Sequence, residues 1–119
     1  MSYVLVVDDE RHICWLIEET LTAAGYPVKT ATNWKKALET VEKETPLLTL
    51  VDYRLPGVSG ASFIEEIRRR APQCKIILMT GETEAASCLQ IDGYLAKPFD
   101  LRDLRGLVRG MVPLFPKSP

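Results

Sequence analysis

The sequence predicts an α/β fold, a parallel sheet wound with helices on both sides, and three observations carry that prediction. Short apolar runs alternate with helix-period segments along the whole chain, which is the pattern of successive βαβ units. Several of those runs end on a polar side chain: Val4 to Val7 on Asp8 and Asp9, Leu47 to Val51 on Asp52, Lys75 to Met79 on Thr80, and Tyr94 to Ala96 on Lys97. The chain has 119 residues, enough for one domain to bury a core without disulfides or structural metal.

Taken in order, the run at Val4 is the first strand. Ile13, Leu16, Ile17, Leu21 and Ala24 then recur at helical spacing, and Gly25 stops that helix. Pro27 to Ala31 reads as the second strand. Asn33 caps a second helix in which Trp34, Ala37, Leu38 and Val41 share a face, so Trp34 is expected in the core or at its rim. The third strand ends at Asp52, and Pro56-Gly57 breaks regular structure before Phe63, Ile64, Ile67 and Ala71 mark a third helix that Pro72 closes. A fourth strand runs to Thr80 and a fifth covers about Gly93 to Ala96. Asp100 caps a last helix carrying Leu101, Leu104, Leu107, Val108 and Met111. The domain is expected to occupy residues 1–112, with 113–119 as a tail or linker stub.

Composition excludes several classes. A net charge of -1 with 26% charged residues gives no nucleic-acid footprint and no basic membrane patch. The dense run Arg68-Arg69-Arg70 falls at a helix end, where cations complement the helix dipole. Cys14, Cys74 and Cys88 are odd in number, widely spaced and without a CxxC pattern, so buried thiols are expected rather than a metal or redox centre, and a reducing cytoplasm fits them. No apolar run approaches the ~18 residues of a membrane span, and no leader pattern opens the chain.

If the runs are parallel strands of one sheet, Asp8, Asp9, Asp52, Thr80 and Lys97 all lie at its carboxyl edge, where open α/β sheets bind ligands. Three carboxylates and one ammonium sum to a charge of about minus two, and like charges this close force protonation unless a cation intervenes. Oxygen ligands with no Cys or His beside them suit a hard divalent ion, and Mg²⁺ is the usual one where phosphate is handled. Capping competes for the acidic pair, since acids favour a helix amino terminus, and both roles can hold at once.

These residues resemble a known family, the receiver domain of two-component response regulators. Val7-Asp8-Asp9-Glu10 is similar to its acidic pair, and Val51 to Gly60 (VDYRLPGVSG) to its phosphoacceptor loop. Thr80-Gly81 and Tyr94-Leu95-Ala96-Lys97-Pro98-Phe99 match its remaining two signatures in the right order. The resemblance implies a flavodoxin-like sheet of five strands in the order 2-1-3-4-5. It implies Asp52 as the acceptor of a phosphoryl group from a sensor histidine kinase or a histidine phosphotransfer protein. It implies Mg²⁺ held by Asp9, Asp52 and the Arg54 carbonyl, with Asp8 acting through water. Lys97 would pair with the phosphoryl oxygens, with Pro98 in a cis peptide beside it. Thr80 would hydrogen-bond the phosphoryl group, and Tyr94 would be the aromatic that turns inward when Thr80 moves. Output would go to an effector domain or partner, without direct nucleic-acid binding or membrane contact by this domain.

One stretch departs from the family pattern. Thr80 to Lys97 is short, leaving room for about two helical turns, ~10 Å, against a strand of ~16 Å. A stunted or irregular helix is therefore expected over Glu82 to Ile91, and with it a changed output surface. Arg54 and Glu82 could pair as a gate over the phosphoryl group. The alternatives are a phosphorelay carrier, a phosphorylation-independent binding module, and a haloacid-dehalogenase-like phosphatase. The last conflicts with Arg54 standing where such enzymes resemble a second acid.

Overall fold

A computed structural model describes residues 2–81 and 90–113. Five parallel strands form one sheet in the order β2-β1-β3-β4-β5: β1 (Val4–Val7), β2 (Val28–Ala31), β3 (Leu48–Asp52), β4 (Lys75–Thr80) and β5 (Gly93–Ala96). The helices are α1 (Arg11–Ala23), α2 (Trp34–Lys43), α3 (Gly60–Arg70) and α4 (Leu101–Met111). The stunted helix expected between β4 and β5 falls on residues 82–89, outside those described, as do Glu82 of the expected gate and Cys88.

The inner strands β1, β3 and β4 are largely apolar runs because both faces of the sheet are covered there, whereas the edge strands β2 and β5 are partly exposed. Leu5, Val7, Val51, Ile76 and Leu78 pack under α2 and α3 with Leu38, Val41, Phe63, Ile64 and Ile67. On the opposite face, Val4, Val6, Leu50, Ile77 and Met79 pack under α1 and α4 with Ile17, Leu21, Leu104 and Val108. The register aligns Val7 with both Ala31 and Val51, and Thr80 with Ala96, so the strands end together. That alignment, more than any local preference, brings the polar chain ends to one rim.

Helix limits follow local chemistry. Asn33 accepts from Lys36 N at 2.8 Å and Asp100 from Arg102 N at 2.6 Å, as their sequence positions predict, while Ser59 caps α3 by accepting from Ser62 N at 3.1 Å. Gly25 takes φ 101 immediately beyond α1, a left-handed conformation that other residues adopt at a cost. Neither acid of the pair is the cap of α1. Glu10 holds that position without a side-chain bond, and the Asp8 carboxylate instead accepts from Glu10 N at 2.9 Å. Cys14 and Cys74 are buried free thiols, and burial with the nearby Asp8 charge pushes Cys14 up to about 11, so it stays protonated at neutral pH.

Candidate functional site

The site is built where β1, β3, β4 and β5 end. Asp8 is fully buried directly after β1, and its amide donates to the Ala31 carbonyl of β2 at 3.2 Å. Asp9, one residue further, is exposed. Asp52 closes β3 at 7% exposure, and its Oδ1 accepts from Arg54 N at 3.3 Å, which folds the following loop back over the strand end. Thr80, buried at the end of β4, accepts through its carbonyl from Lys97 N at 2.9 Å, tying β4 to the chain beyond β5. The Lys97-Pro98 peptide is cis.

Lys97 reaches across this rim. Its Nζ donates to Asp8 Oδ2 at 2.7 Å and lies 3.5 Å from Asp52 Oδ2 and 4.0 Å from Glu10 Oε1. One carboxylate oxygen from each of Asp8, Asp9 and Asp52 lies within 4.8 Å of the others. Sequence reasoning thus named Asp8, Asp9, Asp52, Thr80 and Lys97, and the fold brings all five together. It missed Glu10, whose proximity to Lys97 depends on the path of the chain after β5 and leaves no local signature.

The electrostatics of the rim are unbalanced. Burial first, then the neighbouring Asp8 charge, raises the pKa of Asp52 above the ordinary aspartate value, and Lys97 only partly compensates. Burial works against the Lys97 ammonium, but the Asp8 hydrogen bond and the charges of Asp8, Asp52 and Glu10 outweigh it and raise its pKa, so it stays charged. A destabilised carboxylate among three acids, all offering oxygen, fits a hard divalent cation by charge and by donor type.

Tyr94 stands on β5 opposite Leu78, three residues before Lys97, and is 36% exposed. On the loop after Asp52, Gly57 has φ 85, and a Cβ there would lie 3.2 Å from Nε1 of Trp34, so the missing side chain makes room for that indole. Trp34 is partly buried against the core below the loop, as its sequence position predicts.

The sequence matches the model of the response regulator receiver domain over residues 4–109. The chain belongs to that family. It is 36% identical over 110 residues to the DNA-binding transcriptional regulator NtrC of Escherichia coli strain K12, a match covering 88% of this chain and 24% of that protein. This receiver domain therefore spans about a quarter of that relative. It is also 34% identical over 116 residues to sporulation initiation phosphotransferase F of Bacillus subtilis strain 168, covering 93% of this chain and 94% of that one. Among solved structures, the response regulator TrrA of Thermotoga maritima, in complex with Mg²⁺-BeF, superposes with a TM-score of 0.84 at 35% identity, covering 94% of this chain and all of that one. Receiver domains are regulatory parts of two-component systems rather than conventional enzymes. Among the described residues no helix is long and apolar enough to cross a membrane.

Proposed function

We propose that this domain is a phosphorylatable switch, accepting a phosphoryl group on Asp52 from a phosphohistidine of a sensor kinase or phosphotransfer protein. The observation that carries the reading is the convergence of Asp8, Asp9 and Asp52 on one point, with the Lys97 ammonium 3.5 Å from the Asp52 carboxylate. An Asp52 oxygen attacks phosphorus in line; the new O–P bond forms as the P–N bond to the donor imidazole breaks, and the electron pair leaves with the imidazole nitrogen. Asp9, Asp52 and the Arg54 carbonyl would hold Mg²⁺, with Asp8 acting through water. The bound ion supplies positive charge that lets an anionic phosphoryl group approach an anionic carboxylate.

The residues of this chain do the remaining work. Lys97 is held charged beside Asp52 and stabilises negative charge that develops on the phosphoryl oxygens. Thr80, buried and two strands from Asp8, is the hydroxyl that the phosphoryl group draws toward itself. Tyr94, half in solvent, then turns inward, and the exchange of those contacts biases a two-state equilibrium. Self-catalysed phosphorylation and dephosphorylation are the chemistry of residues 1–112, which pass a conformational signal to an effector domain or partner in the cytoplasm.

Mass spectrometry after incubation with a small phosphodonor and Mg²⁺ tests the reading. A species heavier by about 80 Da, the mass of HPO₃, is expected for the wild type and not for Asp52→Asn. An equal adduct on the variant, or none on either, refutes Asp52 as the acceptor.

A further inference from the structure

The loop that joins Asp52 to α3 has few hydrogen bonds of its own. Tyr53 N donates to the Met79 carbonyl at 3.0 Å and Arg54 N to Asp52 Oδ1 at 3.3 Å, and Ser59 then caps α3. Between them Leu55, Gly57 and Val58 make no backbone-backbone hydrogen bond among the described residues, and Pro56 has no N–H to donate. Packing must therefore set the path of this turn. Leu55 is buried, Val58 is partly buried against the same core, and Gly57 takes φ 85, the left-handed conformation that a Pro-Gly turn of type II requires.

Trp34 is the surface on which Gly57 rests. It is the first residue of α2, where the Asn33 cap fixes its backbone by accepting from Lys36 N at 2.8 Å. Its indole packs against the core cluster that holds Leu55, and Tyr53 and Val58 pack against that cluster too. A Cβ at position 57 would lie 3.2 Å from Nε1 and 3.9 Å from Cδ1 of the ring. The indole N–H has no hydrogen-bond partner among the described residues, so shape rather than a polar bond governs this approach.

We propose that Trp34 is a positioning residue for the divalent cation: its indole sets the height of the Pro56-Gly57 turn and, through it, the direction of the Arg54 carbonyl. This role rests on the reading of Arg54 as a metal ligand. A carbonyl is carried by the backbone and has no rotamer of its own, so what fixes the loop fixes the ligand. Asp8 is anchored separately, by its amide on the Ala31 carbonyl, and does not depend on the indole. Without the ring, the turn settles into the vacated space and the carbonyl swings off the ion, while the carboxylates stay in place. Supports outside the ligand set commonly alter metal affinity by about 10–100-fold.

Calorimetric titration of the full chain with Mg²⁺, well below the melting temperature of every variant, tests this. Trp34→Ala should weaken Mg²⁺ binding roughly tenfold, and Trp34→Phe should recover most of the loss because a ring still fills the space. Val41→Ala, which thins the same core from the same helix, should lower Tm without moving the Mg²⁺ constant. Gly57→Ala pushes the turn off the indole from the other side; it should weaken binding too, and add little to Trp34→Ala. Mg²⁺-induced amide shifts at Arg54, Leu55 and Gly57 should shrink in Trp34→Ala while those at Asp8 and Asp9 persist. Unchanged affinity in Trp34→Ala, an equal loss in Val41→Ala, or fully additive losses in the double variant would each overturn the role. Loss of Mg²⁺ binding in Asp52→Asn beside intact binding in Trp34→Ala would overturn it alone and leave the acceptor reading standing. A wild type that binds no Mg²⁺ would overturn it together with the metal reading.

Discussion

Replacing Lys97 by methionine keeps the aliphatic stem and removes only the charge, so it isolates what the ammonium does. In the metal-free protein its Nζ is 2.7 Å from Asp8 Oδ2 and 3.5 Å from Asp52 Oδ2. At an effective dielectric near 20 those contacts are worth about 5–6 kcal/mol each before the cost of desolvating all three groups is subtracted. Breaking a buried pair by removing one partner costs about 3–5 kcal/mol. The Lys97 side chain is 21% exposed while Asp8 is fully buried, so water recovers part of that, leaving a loss of about 2–3 kcal/mol. For a domain of this size, about 1 kcal/mol moves Tm by roughly 4 °C, so Lys97→Met should melt about 8–12 °C below wild type in EDTA. Saturating Mg²⁺ should then raise Tm more in the variant than in the wild type, because the ion replaces the lost positive charge as well as binding its own ligands. Thermal melts of both proteins, with and without Mg²⁺, read the two quantities directly. A variant within about 2 °C of wild type in EDTA, or one with the smaller Mg²⁺ response, would show that Lys97 does not hold the acid cluster together.

Asp52→Asn should stabilise the metal-free domain at neutral pH, since the folded state raises the pKa of Asp52 through burial and the Asp8 charge. Above the raised value the wild-type carboxylate is ionised in both states and the folded state bears the full penalty. As pH falls through the raised value toward about 4, protonation relieves that penalty, so the variant's advantage should vanish there; a constant difference across melts from pH 7 to 4 would contradict this. Arg68→Ala should loosen the amino-terminal rim of the sheet, because Arg68 donates to the Cys74 carbonyl at 2.9 Å, the Gln90 carbonyl at 3.0 Å and Asp92 at 2.7 Å. A loss of about 1–2 kcal/mol is expected, with faster amide exchange at Ile76 and Asp92 and little change at Val7; uniform exchange would count against it. Gly60→Ala should cost about 1–3 kcal/mol in chemical denaturation, since its Cβ would stand 2.6 Å from the Tyr53 ring, and Tyr53→Ala should relieve most of that.

Most of the sheet is legible in the sequence because a strand covered on both faces must be apolar throughout, and a polar residue then marks its end. The same rule exposes the site, since Asp8, Asp52 and Thr80 interrupt or close such runs. Helix limits are legible wherever a side chain does the capping, as at Asn33 and Asp100. At α1 that logic misleads: the acidic pair has the composition of a cap, yet Asp8 is buried at the strand end, and the cap position falls to Glu10.

What the sequence hides are contacts whose partners meet only through topology. Arg68 lies with Arg69 and Arg70 in the last turn of α3, as the run predicts, and is in addition a three-way clamp joining α3 to β4 and to the segment entering β5. Within it Asp92 Oδ2 accepts from Ile76 N at 2.8 Å, and burial of Asp92 is outweighed by the Arg68 and Ile76 hydrogen bonds, so its pKa is lowered. No spacing rule relates positions 68, 74 and 92. They meet because α3 runs back to the amino edge and β4 and β5 are neighbours there. The clamp holds the segment entering β5 against β4 at the rim opposite Asp52, so the two ends of the β4-β5 pair are tied by different contacts: Arg68 and Asp92 at one, and the Lys97 N–H on the Thr80 carbonyl at the other.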